Sequence, residues 1–219
     1  MNNQKIKIGI SLRVMNAGNY SEKRDGLSQD WSKFFEKFDS IPIFIPNNME
    51  NVKSYLENIG INGIILSGGD NIGKDPERDI TEIKLIQFGI DNNIPILGVC
   101  RGMQMINHFF NGTIKINSSN EHVNNPHEIK ILKNIFSKNL NSKKITVNSF
   151  HNNIIDDENL GNDLNIFART FFDDSIEGFF HSKFRILGIM WHPEREQNEN
   201  NELILKHVFQ DNNFWRKII

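Results

Sequence analysis

Cysteine is scarce in this sequence, which holds one such residue among 219 and so cannot form an internal disulfide bond. Disulfide bonds are rare in reducing compartments, and the shortage favours an intracellular protein. Long apolar runs are also missing. Hydrophobic residues make up 38% of the chain, in blocks far shorter than the roughly 18 residues of a membrane-spanning helix. The N-terminal segment lacks the apolar region and cleavage site of a secretory signal. We therefore expect a cytoplasmic protein with no membrane partner.

An excess of charge of one sign is missing as well. The 25 lysine and arginine residues nearly balance 27 aspartate and glutamate residues, and the formal net charge is -2. This balance excludes the basic excess that attracts nucleic acids, so we expect no nucleic-acid partner. The length suits one domain with a sizeable core, and no linker or repeat divides residues 1–219. A monomer and a homodimer both remain open.

Short apolar runs alternate with amphipathic segments in the first half of the chain. Strands that are apolar on both faces belong in a parallel sheet with helices on both sides. The sequence therefore predicts an α/β fold with a mostly parallel central sheet flanked by helices. The predicted strands are 5–12, 41–46, 63–66, 95–100, 127–132, 143–148, 165–170, 175–180 and 185–191. The predicted helices begin at residues 27, 50, 79, 101 and 199, and a polar loop is predicted from 13 to 26.

Cys100 stands where a predicted strand meets a predicted helix, in the segment GVCRGMQ at 98–104. The flanking glycines allow the sharp turn of a nucleophile elbow, which exposes a reactive side chain at the top of a sheet. The helix N-terminus favours the thiolate, and the backbone N–H of Arg101 would face a bound carbonyl. The alternative is a buried structural cysteine with glycines for packing.

A second motif, MWHPE at 190–194, places a histidine and a carboxylate two residues apart. In an extended chain such residues point to the same side, and Pro193 biases His192 toward that conformation. Glu194 can therefore orient the imidazole of His192 toward Cys100, as a catalytic triad requires. The alternative is a histidine in a turn at the end of a strand.

These two motifs resemble the signatures of class I glutamine amidotransferase domains, and the SGG turn at 67–69 is similar to the oxyanion loop of that family. The three elements occur in the family's order, and the resemblance covers nearly the whole chain. Three further segments are similar to the γ-glutamyl-γ-aminobutyrate hydrolase group, whose members hydrolyse γ-glutamyl amides without feeding ammonia to a synthetase. These are RDGL at 24–27 with Trp31, PN at 46–47 and VNSFH at 147–151.

The resemblance implies a flavodoxin-like fold and a hydrolase with the triad Cys100, His192 and Glu194. It also implies an oxyanion hole formed by the N–H groups of Gly69 and Arg101, and no metal or organic cofactor. Gln104, Ser149, Phe150 and His151 would bind the glutamyl end of a small-molecule substrate. Arg13 and Arg24 lie in the loop after strand one, where α/β sheets bind ligands. They are candidates to contact a phosphate or carboxylate of the leaving group.

The expected reaction is hydrolysis of a γ-glutamyl amide through a cysteine thioester. Length and composition resemble the hydrolases of bacterial capsule phosphoramidate synthesis, whose substrate γ-glutamyl-CDP-amidate gives cytidine diphosphoramidate. Asn152 and Asn153 replace the histidine and glutamine that relatives often carry, which suggests a different leaving-group pocket. Three alternatives stay open: a polyamine-pathway hydrolase of γ-glutamyl-γ-aminobutyrate, a glutaminase subunit that supplies ammonia to a synthetase, and a non-catalytic binding protein on the same fold.

The histidines outside these motifs give one weak metal signal. His122 and His127 are five residues apart around Asn-Asn-Pro. That spacing is poor for a helix, and no clear third ligand accompanies the pair. We therefore expect no metal site, and we expect His108, His181 and His207 to be structural or exposed.

Overall fold

Strands and helices alternate through the first half of the chain, and strands dominate the second half. The computed structural model describes residues 5–19, 21–117, 120–132, 143–196 and 198–217. Its strands are β1 (Ile6–Ser11), β2 (Arg13–Asn16), β3 (Lys23–Gly26), β4 (Ser40–Ile45), β5 (Gly63–Leu66), β6 (Ile96–Val99), β7 (Lys115–Ile116), β8 (His127–Ile131), β9 (Lys144–Val147), β10 (Asn153–Ile154), β11 (Leu164–Thr170), β12 (Ile176–His181) and β13 (Ile186–Ile189). Its helices are α1 (Asp30–Lys37), α2 (Val52–Ile59), α3 (Pro76–Asp91), α4 (Arg101–Phe109), α5 (Glu199–Phe209) and α6 (Asn212–Arg216).

The central sheet has nine strands in the order β4-β1-β5-β6-β13-β12-β11-β8-β9. Neighbouring strands from β4 to β13 pair in parallel, and those from β13 to β9 pair antiparallel. The predicted fold class is therefore confirmed, and the strand-rich second half is an antiparallel extension of the parallel sheet. Strand β13 returns to the centre, where Ile189 pairs with Val99. This return brings the segment after β13 beside the segment after β6.

Two apolar cores lie on the two faces of the sheet. One core packs α1, α5 and α6 against residues such as Ile8 and Ile10 of β1. The other packs α2, α3 and α4 against residues such as Ile64 and Leu66 of β5. Side chains alternate between the two faces along each strand, and both faces are covered. This explains why the parallel strands are apolar throughout rather than alternating with polar residues.

The segment predicted as a polar loop from 13 to 26 is instead a two-stranded antiparallel ribbon, so that prediction is wrong. Strands β2 and β3 pair with Arg13 opposite Gly26. Asp25 fixes the ribbon to the chain after β4, because its carboxylate accepts hydrogen bonds from the backbone N–H of Asn47 at 2.9 Å and from its side-chain amide at 2.6 Å. The ribbon is too short and polar to show strand periodicity.

In the described ranges no helix has the length and apolarity needed to cross a bilayer.

Candidate active site

Cys100 occupies the turn between β6 and α4, as the nucleophile-elbow prediction requires. Its backbone has φ 51° and ψ −106°, a sparsely populated conformation that costs about 1–3 kcal/mol and occurs mainly at functional sites. The turn also packs tightly against β5, because a Cβ added to Gly102 would overlap the backbone carbonyl of Leu66. The glycine at this position therefore lets the start of α4 approach the sheet.

His192 and Glu194 form a buried pair beside this turn. The Nδ1 atom of His192 lies 2.7 Å from Oε1 of Glu194, which fixes the orientation of the ring. Asn148 holds the backbone of His192 from both sides: its Oδ1 accepts from the His192 N–H, and its Nδ2 donates to the His192 carbonyl, each at 2.9 Å. Sequence reasoning assigned no role to Asn148, although the residue lies inside the VNSFH segment and is buried.

The thiol of Cys100 and the imidazole of His192 shift each other's protonation. Burial raises the pKa of the Cys100 thiol, but the hydrogen bond and charge of His192 outweigh burial and leave this pKa below its ordinary value. Burial lowers the pKa of His192, but its hydrogen bonds to Cys100 and Glu194 prevail and raise this pKa to about 9. The contact between the two groups therefore favours the thiolate–imidazolium form over the neutral form.

The SGG turn after β5 lies against the imidazole. A Cβ added to Gly68 would stand 2.7 Å from Cε1 of His192, so glycine leaves room for the ring. The next residue, Gly69, has φ +150°, which L side chains rarely adopt. On the other side of Cys100, Arg101 is the first residue of α4, and the first N–H groups of a helix have no partner within the helix. The two N–H groups predicted for the oxyanion hole therefore belong to segments that flank Cys100.

A buried ion-pair network joins these two segments through α3. The Glu82 carboxylate, which is fully buried, accepts hydrogen bonds from Nε of Arg78 at 3.0 Å and from Nη1 of Arg101. Arg78 in turn donates to the backbone carbonyls of Ser67 at 2.8 Å and Gly68 at 3.1 Å. The SGG turn and the start of α4 are thus tied to one carboxylate. The sequence signal was a charged pair four residues apart on a helix, a spacing that places both on one face.

Two cavities meet at Cys100 and share Gly69 and Phe150 as walls. The first is lined by Arg13, Leu27, Ser28, Trp31, Ser67, Gly68, Gly69, Cys100, Phe150, His192, Glu194 and Arg195. The second is lined by Gly69, Asp70, Asn71, Lys74, Cys100, Gln104, Ile116, Val123, Phe150, His151, Asn152 and Asn153. A substrate with its scissile carbonyl at Cys100 has room for one group on each side.

Most residues predicted to bind substrate lie at these cavities, but two do not line them. Arg13 lies at the first cavity, Gln104 at the second, and Phe150 between them. Ser149 is buried and donates its hydroxyl to the carbonyl of His122 at 2.6 Å, so it holds the loop rather than facing a cavity. Arg24 pairs with Glu22 on the exposed ribbon at 2.8 Å and is not brought to the cavities.

The Asn152–Asn153 departure falls on the Gln104 side of Cys100. Both asparagines line the second cavity. Asn153 donates its amide to Oδ1 of Asn71 at 2.9 Å and contacts Oε1 of Gln104 at 3.4 Å. Because the resemblance places the glutamyl group near Gln104, the two asparagines lie on the glutamyl side of Cys100. Their position therefore gives no support to the prediction that they change the leaving-group pocket.

Sequence reasoning also missed Arg195, which lies directly after the second motif. Its guanidinium stacks on the ring of Phe150 at 4.3 Å from the centroid, and the same ring meets the imidazole of His192 edge-on at 5.9 Å. Arg195 is exposed and lines the first cavity together with Arg13. Two arginines therefore line the cavity on the His192 side, and the Arg13 guanidinium also donates to Asp70 at 3.4 Å.

A cluster of histidines surrounds one buried carboxylate behind the second cavity. Glu177 of β12 has ring nitrogens of His151, His127 and His122 at 3.5, 3.7 and 4.0 Å from its oxygens. Burial raises the pKa of the Glu177 carboxyl, but the neighbouring imidazoles of His127 and His151 prevail and lower this pKa to about 2. His122, His151 and Glu177 each offer one atom to a common centre, and these atoms lie within 4.8 Å of one another.

Comparisons with known proteins agree with this fold and with the two motifs. A model of the peptidase C26 family matches residues 7–194. A γ-glutamyl-CDP-amidate hydrolase of Campylobacter jejuni is 39% identical over 210 residues, which cover 92% of this chain and 96% of that protein. A proposed GMP synthase subunit from Thermoplasma acidophilum superposes with TM-score 0.72 and 25% identity over 98% of each chain. The glutaminase domain of CTPS from Trypanosoma brucei superposes with TM-score 0.69 and 17% identity over 93% of each chain. The chain therefore belongs to the peptidase C26 family of class I glutamine amidotransferase-like hydrolases.

Proposed function

We propose that this protein hydrolyses a γ-glutamyl amide through a thioester on Cys100, with γ-glutamyl-CDP-amidate as the substrate. The observation that carries the proposal is the position of Cys100 between two cavities of different chemistry. Amide side chains line the Gln104 side, whereas Arg13 and Arg195 line the His192 side. The 39% identical relative is named for γ-glutamyl-CDP-amidate, whose leaving group carries two phosphates.

The proposed chemistry uses Cys100, His192 and Glu194 as a triad. The thiolate of Cys100 attacks the γ-carbonyl, and the N–H groups of Gly69 and Arg101 stabilise the developing oxyanion. The imidazolium of His192 gives its proton to the departing nitrogen, the carbon–nitrogen bond breaks, and a γ-glutamyl thioester remains. His192 then takes a proton from water, which attacks the thioester and releases glutamate and the thiolate. Glu194 keeps the ring in one tautomer throughout.

The leaving group is proposed to lie on the His192 side, because the protonated imidazole must reach the departing nitrogen. Arg13 and Arg195 face that cavity, and a guanidinium pairs with phosphate oxygens through two parallel hydrogen bonds. The stacking of Arg195 on Phe150 limits its side-chain freedom, which lowers the entropy lost on binding. Each lost hydrogen bond to a charged group costs about 1.5–3 kcal/mol, or roughly 10- to 100-fold in KM.

The test compares γ-glutamyl-CDP-amidate with γ-glutamyl-p-nitroanilide, which carries no phosphate. Cys100→Ala should abolish glutamate release from both compounds. Arg13→Ala and Arg195→Ala should each raise KM for the nucleotide about 10- to 100-fold, and Arg195→Ala should leave kcat/KM for the anilide nearly unchanged. Because Arg13 also lies beside Gly69 and donates to Asp70, its variant is judged by the ratio of kcat/KM for the two substrates. Arg216→Ala, an exposed residue of α6 that lines neither cavity, is the matched control. Arg24→Ala should match it, because Arg24 lines neither cavity.

Two outcomes would contradict the proposal at different levels. Wild-type turnover by Cys100→Ala would overturn the thioester mechanism. A wild-type protein that prefers γ-glutamyl-γ-aminobutyrate to the nucleotide amide would keep the mechanism but overturn the substrate, in favour of the polyamine alternative. Glutamine turnover that appears only with a synthetase partner would favour the glutaminase-subunit alternative.

A further inference from the structure

In the histidine cluster around Glu177, the hydrogen bonds of each ring show which of its nitrogens carries the proton. The Nδ1 atom of His151 lies 2.9 Å from the backbone carbonyl of Asn153, which can only accept, so Nδ1 carries the proton. The Nε2 atom of His122 lies 2.9 Å from the carboxylate of Asp173, so there Nε2 carries the proton. In their neutral forms both rings therefore turn a lone pair toward Glu177.

When both rings are neutral, three acceptors converge on one buried point. These are Nε2 of His151, Nδ1 of His122 and Oε1 of Glu177, and all three atoms lack a hydrogen-bond partner among the described residues. The three side chains are at most 6% exposed. Buried polar atoms without partners are costly, and lone pairs that face a carboxylate repel it. A cation between them removes both costs.

The outer partners are those that metal ligands use. A histidine ligand commonly donates its second ring N–H to a carboxylate or a backbone carbonyl, which fixes its tautomer. Asp173 plays this part for His122. The side chain of Asp173 is itself fixed in position, because its Oδ1 accepts hydrogen bonds from the Thr170 hydroxyl at 2.5 Å and from the Ser175 N–H at 3.1 Å. The carbonyl of Asn153 plays the same part for His151.

Distances and charge agree with a divalent ion. Bonds of about 2.0–2.2 Å in tetrahedral geometry place ligand atoms about 3.4 Å apart. The His151–Glu177 separation of 3.5 Å matches that value, and the His122–Glu177 separation of 4.0 Å and the 4.8 Å limit on the whole set require the ligands to close by a small movement. Glu177 and Asp173 carry two negative charges, and the ion pairs that the described residues make with Glu177 involve histidines alone.

We propose that His122, His151 and Glu177 bind a divalent transition-metal ion of the zinc type, with Asp173 and the Asn153 carbonyl as outer partners. Two histidines and one carboxylate suit Zn²⁺. The ion would link Glu177 of β12 to His151 in the loop that carries Phe150. The same loop is also bonded to His122, because the Ser149 hydroxyl and the His151 N–H donate to the His122 carbonyl. Its role is to hold the wall shared by the two cavities, and it takes no part in the reaction.

Direct measurement of Zn²⁺ binding tests the proposal. Every sample carries Cys100→Ala, because a thiolate beside an imidazole is itself a zinc ligand pair. After treatment with a chelator, titration calorimetry with Zn²⁺ should give one ion per chain, and the melting temperature should rise with Zn²⁺ concentration. Substituting Co²⁺ should give visible d–d bands without a thiolate charge-transfer band.

Variants locate the ion. His122→Asn and Glu177→Gln should each weaken Zn²⁺ binding at least 100-fold, and Asp173→Asn about 10- to 100-fold, as expected for a ligand's outer partner. His108→Asn changes an exposed histidine outside the cluster and should bind like its parent. If folded Cys100→Ala protein binds no stoichiometric Zn²⁺, the proposal is overturned and the cluster holds protons instead. Equal binding by parent, His122→Asn and Glu177→Gln would overturn it as well. Neither result bears on the proposed hydrolysis, which these samples cannot catalyse.

Discussion

Removing the charge of Glu82 should strongly destabilise the fold. The carboxylate is fully buried and accepts from Nε of Arg78 at 3.0 Å, from the Ser11 hydroxyl at 2.8 Å and from Arg101. Glu82→Gln keeps the length of the side chain. However, it leaves two buried guanidinium groups with less compensating charge and turns an amide donor toward guanidinium donors.

The expected loss follows from that geometry. Breaking a buried ion pair by removing one partner costs about 3–5 kcal/mol, a large share of the roughly 5–15 kcal/mol that stabilises a domain. With an m-value of about 2 kcal/mol per molar urea, the midpoint of unfolding should fall by about 2 M. The matched control is Glu57→Gln, in which an exposed pair with Lys53 at 3.9 Å is lost. Such pairs contribute about 0–1 kcal/mol.

The pH dependence gives a second readout of the same charge. Burial raises the pKa of the Glu82 carboxyl, but the charges of Arg78 and Arg101 prevail and lower this pKa below 4.5, its ordinary value. A depressed folded-state pKa contributes stability above the unfolded value, which is lost as pH falls through the folded value. The advantage of wild type over Glu82→Gln should therefore be full at pH 7 and shrink in acid. A loss at pH 7 no larger than that of Glu57→Gln would refute the reasoning.

The remaining predictions concern the proposed triad. Gly68→Ala places a Cβ 2.7 Å from Cε1 of His192, so the imidazole ring should rotate away. We expect kcat to fall about 100-fold while the urea midpoint of unfolding moves little. An unchanged kcat would contradict this packing. Because His192 keeps the pKa of Cys100 below the ordinary value of a thiol, the rate of iodoacetamide alkylation should reach its plateau at a lower pH than an ordinary thiol does and fall as pH drops through that lowered pKa. Acylation needs protonated His192 and should decline above about pH 9. An alkylation rate that still rises through pH 9 would contradict the ion pair.

The parts of the site that are local in sequence could be predicted from the sequence. The elbow is encoded by a buried strand, a cysteine and two glycines within seven residues, so its position in the chain is marked by adjacent residues. The spacing of His192 and Glu194 works in the same way, because an extended segment places both side chains on one side. The parallel strands were predictable too, since their burial on both faces leaves continuous apolar runs.

The parts that depend on distant pairing could not be predicted. Arg78 and Glu82 show their helical spacing in the sequence, but their partner Arg101 lies across the fold. Nothing near Glu177 in the sequence marks it as the centre of a histidine cluster. The expectation of no metal site rested on the spacing of His122 and His127, whereas His151 and Glu177 come from the segment before β10 and from β12. Spacing rules detect side chains that cluster on one element, and they miss side chains that the sheet brings together.

The residues proposed to react and the residues proposed to contact the leaving group belong to different kinds of structure. Cys100 and Gln104 belong to a strand–helix junction packed on both sides. Arg13 comes from an exposed ribbon and Arg195 from a turn after β13, where substitutions disturb packing least. In the proposed function, a change at Arg195 would therefore alter which amide is accepted without moving the thiol or the imidazole. The proposal predicts that relatives that share the elbow and the histidine–glutamate motif differ in substrate where the ribbon and the turn differ. Exchanging the ribbon should transfer leaving-group preference while the thioester chemistry stays the same.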